Sequence, residues 1–351
     1  MTQENIVREA FARQARGCRR LGSPFTATLM EGLGSRLDRS TATGQRILDW
    51  QARPDAEGDA VPLRLAGALH ALVRSGQLPT LAPLYPPAPV PEPAILAEAA
   101  LAAIVDEDAQ IAAWLDHAPQ TNEVARSAAL YAGLMVVAAE TGLPLTLFEL
   151  GASAGLNLIL DRYAYRLGGR ETGAPVSPLC LCPDWTGSAP PESDVRIGAR
   201  HGCDLNPLDV TDPAQTNRLA AFIWPDQLTR IARFEAAVEL ARPDPPRIDK
   251  ADAAIWVEAR MGAPAAPGAA RVVMHSIAYQ YFPPATKARI EAAMAGAGAA
   301  ATAEAPLAWL ALEIAEDAGQ PLLTLRLWPG GEPRVLAEAD PHLRTLAWRG
   351  S

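Results

Sequence analysis

The sequence predicts an α/β fold: a mainly parallel sheet covered by helices, with an all-helical domain in front of it. Three observations carry this. Apolar residues recur at helical spacing through residues 1–142, after which short strand-like runs alternate with helical stretches. One apolar run (Leu143, Leu145, Leu147, Phe148) ends in Glu149 and breaks into a turn of small residues, Gly151-Ala152-Ser153-Ala154-Gly155. A second short strand signal ends in an acid in the same way, within Gly202-Cys203-Asp204-Leu205-Asn206-Pro207-Leu208-Asp209.

In the N-terminal part, Ile6, Phe11, Ala15, Cys18 and Leu21 form a helical stripe. Ser23-Pro24 reads as an N-cap followed by proline at the first helical position, and Phe25, Leu29, Leu33 and Leu37 continue at helical spacing. Val61 to Val73 predicts another helix. Seven prolines between Pro79 and Pro93 predict an extended arm, and Ile95 to Leu115 a further helix. Pro119-Gln120-Thr121-Asn122-Glu123 breaks the pattern and starts a long buried helix that Gly142-Leu143-Pro144 ends. The expected domains are therefore 1–142, a helical cap, and 143–351, α/β, with a Pro/Gly-rich insertion at about 168–194.

Strand signals in the second domain lie at 145–150, 200–205, 271–275, 307–313, 322–328 and 334–336, with helical stretches at 217–241, 253–260 and 285–297. Alternation in that order predicts parallel strands joined by crossover helices. Pro329-Gly330-Gly331 reads as a hairpin turn, and Asp226 in Trp224-Pro225-Asp226 as an N-cap where a helix restarts.

A chain of 351 residues has room for about two domains. Its formal net charge of −9 argues against a nucleic-acid partner, since phosphate binding needs a basic surface. The arginine-rich first twenty residues do not resemble a signal peptide, and no uninterrupted apolar run of ~20 residues suggests a membrane partner. The expectation is a cytoplasmic protein with a small-molecule substrate; the oligomeric state is open. Four cysteines are too few for a disulfide scaffold, and Cys180 and Cys182 follow no metal-finger spacing, so no metal is expected.

Small residues at a strand-to-helix turn let a ligand approach the backbone, and the new helix offers free N–H groups there. A dinucleotide fingerprint wants glycine where Ser153 and Leu156 stand. S-adenosylmethionine carries no phosphate and suits the turn better. Glu149 is placed to meet its ammonium, and N–H groups near Ser153 and Gly155 its carboxylate. Asp204, beside Asn206, is positioned for ribose hydroxyls, and Asp252-Ala253 for an adenine amino group. Each also has a plainer reading: a turn that binds nothing, an Asx-turn at Asp204, an N-cap at Asp252. His275 ends the strand Val272-Val273-Met274-His275 and is the candidate acid–base residue, with Ser276, Tyr279, Gln280 and Tyr281 lining an acceptor pocket. The plainer reading of His275 is a histidine satisfied at a strand end. Asn122 and Glu123 are further catalytic candidates or, equally, helix caps.

The series Glu149-x-Gly151-x-Ser153-x-Gly155, Asp204, Asp252-Ala253 resembles the ordered motifs of class I S-adenosylmethionine-dependent methyltransferases, with Ser153 where they carry glycine. That resemblance covers about 143–350 and implies a Rossmann-like fold, S-adenosylmethionine as cofactor, and Glu149, Gly151, Ser153, Gly155, Asn157, Asp204, Asn206, Asp252 and Ala253 as its binding residues. The whole chain also resembles a bacterial family of unknown function. Its hallmarks stand here as Gly22-Ser23-Pro24-Phe25, Gln120-Thr121-Asn122-Glu123, Glu149 to Asn157, Gly202 to Asp209, Trp224-Pro225-Asp226-Gln227, His275-Ser276 and Trp328-Pro329-Gly330-Gly331. The expected function is methyl transfer to a small acceptor. The alternatives are a non-catalytic nucleotide or S-adenosylmethionine sensor or scaffold on the same fold, or another enzyme using that cofactor.

Overall fold

The structure, a computed structural model, describes residues 2–314 and 319–350. In chain order the helices are α1 (Gln3–Arg20), α2 (Pro24–Arg36), α3 (Ala42–Leu48), α4 (Val61–Arg74), α5 (Pro93–Asp106), α6 (Asp108–Trp114) and α7 (Ser127–Thr141). Strands follow: β1 (Leu145–Leu150), β2 (Ala164–Leu167), β3 (Arg170–Gly173), β4 (Cys180–Leu181), β5 (Asp184–Thr186) and β6 (Ile197–Asp204). Next come α8 (Pro213–Ala221), α9 (Leu228–Ala241), β7 (Ile248–Lys250), α10 (Ala253–Met261), β8 (Ala270–Ser276) and α11 (Pro284–Ala299). Strands β9 (Leu307–Ile314), β10 (Pro321–Trp328), β11 (Pro333–Ala339) and β12 (Thr345–Trp348) complete the chain. Two compact units result: residues 1–121 with 212–235, and residues 122–211 with 236–351. The segment 122–142, read from the sequence as part of the helical domain, thus belongs to the α/β unit.

The first unit is helical. Phe11, Phe25, Leu29, Leu33, Leu65, Leu69 and Leu96 are among the side chains of its core. At roughly 1.5–3 kcal/mol for each large apolar side chain removed from water, this stripe-on-stripe burial is the main stabilising term. Asp226, read from the sequence as an N-cap where a helix restarts, bonds the start of α2. Its Oδ2 accepts the Phe25 N–H at 2.9 Å and its Oδ1 the Ser23 hydroxyl, so it closes the N-terminus of α2. Pro24 sits there at the first helical position, where its missing N–H costs nothing. The predicted helix at 95–115 is two helices meeting at Glu107, and that at 217–241 is α8 and α9, separated around Pro225.

The second unit is built on a large, mainly parallel sheet. Among the described residues its order is β5-β12-β11-β10-β9-β8-β1-β6-β7. The five strands from β9 to β7 run parallel; β10, β11 and β12 pair antiparallel, and β5 pairs parallel with β12. A small second sheet, β3-β2-β4, uses the first part of the predicted insertion. Central parallel strands are covered on both faces and read as continuous apolar runs; Val272, Val273 and Met274 of β8 are fully buried. Helices α10 and α11 pack against one face, in a cluster with Phe148, Leu150, Cys203 and Val273. Helix α7 covers the other. A Cβ at Gly133 would lie 2.5 Å from Leu310 Cδ1, so α7 lies close on β9 only because residue 133 has no side chain. One stretch, Val124–Thr141, is long and apolar enough to cross a membrane, and 78% of it is buried inside the protein.

Candidate functional site

The chain leaves β1 at Leu150 and reverses through three left-handed residues, Gly151 (φ 66°), Ser153 (φ 55°) and Gly155 (φ 75°). Both glycines are also required by close approach. A Cβ at Gly151 would lie 2.7 Å from the Ala278 Cβ, and one at Gly155 2.8 Å from Ile248 Cδ1 and Pro246 Cγ. Ser153 adopts the same conformation with a side chain, at a cost of about 1–2 kcal/mol. Backbone bonds hold it there. Its N–H donates to Asp204 Oδ2 at 2.8 Å, and its carbonyl accepts the Leu208 N–H at 3.2 Å. Asp204 also takes the Asn206 N–H on Oδ1 at 2.8 Å, completing the expected Asx-turn. A carboxylate has about four lone-pair sites, so these two bonds leave half-buried Asp204 with acceptor capacity.

Glu149 is 2% exposed, and its Oε2 has no hydrogen-bond partner. Its Oε1 accepts a long bond, 3.4 Å, from Asn157 Nδ2, and Asn157 Oδ1 accepts the Ser127 hydroxyl at 2.8 Å. Burial pushes the Glu149 carboxyl up to about 8; the Asn157 bond opposes this and the Asp204 charge adds to it. The Ser153 hydroxyl, in the same turn, is likewise buried without a partner. The turn, read from the sequence as a strand-to-helix turn, does not open into an α-helix. Residues Leu156–Arg162 form a 3₁₀ segment with non-helical backbone at Ile159. Asn122 Oδ1 accepts the Leu156 N–H at 2.9 Å, so Asn122 caps this segment. Glu123 Oε1 accepts the Ala125 N–H at 3.3 Å and caps the single turn Val124–Arg126. Both residues act here as caps.

Strand register decides which candidates share a face. Glu149 pairs with Gly202 of β6 and with Met274 of β8. Asp204, two residues beyond Gly202, therefore lies on the Glu149 face, the one α7 covers. Asp252 follows β7, whose Lys250 pairs with Asp204, and the Ala251 N–H bonds the Asp204 carbonyl at 3.0 Å. Asp252 Oδ1 accepts the N–H groups of Ala254 and Ile255 at 3.0 and 3.1 Å, the plain N-cap of α10, with Ala253 buried beside it.

His275 is next to Met274 and points to the opposite face, under α10 and α11. It is 1% exposed and both its nitrogens are engaged. The Trp309 indole N–H, a donor only, reaches Nε2 at 2.9 Å. Nε2 is thus the acceptor, and Nδ1–H donates to Glu313 Oε1 at 2.7 Å. Both nitrogens are thus engaged within the protein, as in the plainer reading of a histidine satisfied at a strand end. Glu313 also accepts the N–H groups of Ala278 and Tyr279 at 3.0 and 3.1 Å. Burial raises its carboxyl, but these bonds outweigh that and hold it below the usual range. Tyr279 stacks on His275 with ring centroids 4.9 Å apart. The Ser276 carbonyl accepts from Arg126 Nη1 at 3.1 Å, and Tyr281 is 72% exposed. Ser127, Trp309 and Glu313 were not anticipated. An acid near the end of an apolar strand, as Glu149 is, was the available signal for Glu313.

The structure therefore gathers Asn122, Glu149, Gly151, Ser153, Gly155, Asn157, Asp204 and Asn206 around one turn, with Asp252 past the end of the next strand, β7. His275 lies on the opposite face of the sheet, while Ala278, in the segment that follows it, closes on Gly151. Residues 8–348 match the family described as "Uncharacterized protein conserved in bacteria (DUF2332)", and the chain belongs to that family. No curated protein and no solved structure matches it.

Proposed function

We propose that the turn after β1 binds S-adenosylmethionine and that the second unit directs methyl transfer to a small-molecule acceptor. The observation that carries this is the unpartnered, fully buried Oε2 of Glu149, set beside a turn of left-handed residues and one strand from Asp204. A buried acceptor without a partner costs roughly 1–3 kcal/mol, a penalty a cationic ammonium would remove. The parallel order β7-β6-β1-β8-β9, with an acid at or after the ends of β1, β6 and β7, supports the same reading.

In this proposal Glu149 takes the ammonium, the Ser153 hydroxyl a nearby polar group, the remaining lone pairs of Asp204 the ribose hydroxyls, and Asp252 the adenine edge. When bound, the cofactor supplies an electrophilic methyl on its sulfonium. The chain's share of catalysis is alignment, because a displacement at carbon gains most from fixed geometry. His275 takes no part in proton transfer; with Glu313 it holds the Ala278–Tyr279 backbone in place. The closed bonding of His275 also favours a second reading, a ligand sensor without turnover.

Calorimetry on the full chain tests the binding claim. S-adenosylmethionine and S-adenosylhomocysteine are expected to bind and NAD not to, and Asp204→Ala to weaken both ligands about tenfold or more. Absence of binding by both ligands, or equal binding of NAD, overturns the proposal.

A further inference from the structure

A second hollow lies at the other end of the same strands. Arg271 is the second residue of β8 and Ser276 its last, about 17 Å further along at ~3.3 Å per residue. Alternation puts Arg271 on the Val273 face, under α10 and α11. Beside it, between the end of α10 and the second half of α11, is a cavity of about 450 Å³. Its walls are small and apolar, including Met261, Pro264, Ala293, Gly296 and Ala297. Two charged side chains reach it. Glu258 is already paired with Arg289, whose Nε lies 2.8 Å from Glu258 Oε1. Arg271 has no ion pair or side-chain hydrogen bond among the described residues, and its Nε is buried without a partner. Burial lowers its pKa.

A guanidinium with five N–H donors and no acceptor, half-buried in an apolar hollow, is costly unless an anion meets it. One cation matches one negative charge, and the planar fork fits a carboxylate in a bidentate pair. The volume falls in the range of small-ligand pockets, roughly 300–1,000 Å³. We infer that this hollow binds a small organic carboxylate with an apolar tail, the carboxylate on Arg271 and the tail along the alanine and glycine wall of α11. The inference is independent of the S-adenosylmethionine reading, which concerns the opposite strand ends.

Octanoate is the probe, titrated calorimetrically into the full chain without any adenosyl compound. Octanoate is expected to bind, and octanol and octylamine to bind at least tenfold more weakly. Arg271→Met is expected to lose tenfold or more. Gly296→Leu, which fills the wall at a helical site where a Cβ meets nothing within 4 Å, is expected to abolish binding while the protein stays folded. Thermal unfolding of both variants confirms that they fold. No octanoate binding to the wild type, octanol binding as tightly as octanoate, or wild-type affinity in both folded variants overturns the inference.

Discussion

At the scale of single residues, Glu149 has the most consequential environment. Its carboxyl titrates near pH 8 in the folded chain, against about 4.5 for an unperturbed group. Between these values the unfolded chain has released the proton and the folded chain still holds it. The stability this contributes is fully present below about pH 4.5 and lost as pH rises towards 8. Glu149→Gln, a neutral isostere, is expected to match the wild type near pH 4.5 and to exceed it by a few kcal/mol at pH 8, since one pKa unit is worth about 1.4 kcal/mol. Urea unfolding across that range measures it; parallel pH profiles for the two proteins contradict the assignment. Glu149 was legible in the sequence because an acid ending an apolar strand beside small residues is conspicuous. The orphaned oxygen was not, since it depends on Asn157 turning its other face to Ser127 on α7.

At the scale of elements, the bond between β8 and β9 is the instructive case. His275 and Glu313 stand at neighbouring strand ends, and Trp309 on β9 supplies the third member. Removing the imidazole leaves the Glu313 carboxylate short of a donor and the indole N–H short of an acceptor. His275→Ala is expected to cost about 2–4 kcal/mol in urea unfolding. A change under about 0.5 kcal/mol would show that the network does not bear on stability. The partners of the histidine were not legible in the sequence because they lie 34 and 38 residues away and only strand pairing brings them to it. The segment after Gly155 misled in a similar way. Its apolar residues suit a helix, but Asn122 takes the Leu156 N–H, and the Tyr163 hydroxyl bonds the Leu156 carbonyl at 2.7 Å. Those tertiary bonds replace the i→i+4 ladder that periodicity implies. Asp226 belongs with these cases: it reads as a local cap, and its bond to the helix at Pro24, 201 residues away in sequence, was not legible.

At the scale of the whole molecule, the helical beginning and the parallel core were readable because long periodic stripes and continuous apolar strands leave strong patterns, as in α4 and β8. Strands β2 to β5 were not. They run two to four residues each, with exposed and buried positions mixed, in or just before a Pro/Gly-rich segment. Helix α7 shows why its unit was hard to assign: apolar on every side, it carries no directional stripe to say which layer it joins. On the proposed function, stability is given up at Glu149 to hold a cationic ligand group. The most direct measurement is the affinity of Glu149→Gln for S-adenosylhomocysteine at pH 8, set beside its unfolding free energy at the same pH. The account predicts a more stable protein that binds at least tenfold more weakly. A variant that is more stable and binds as tightly as the wild type would contradict it.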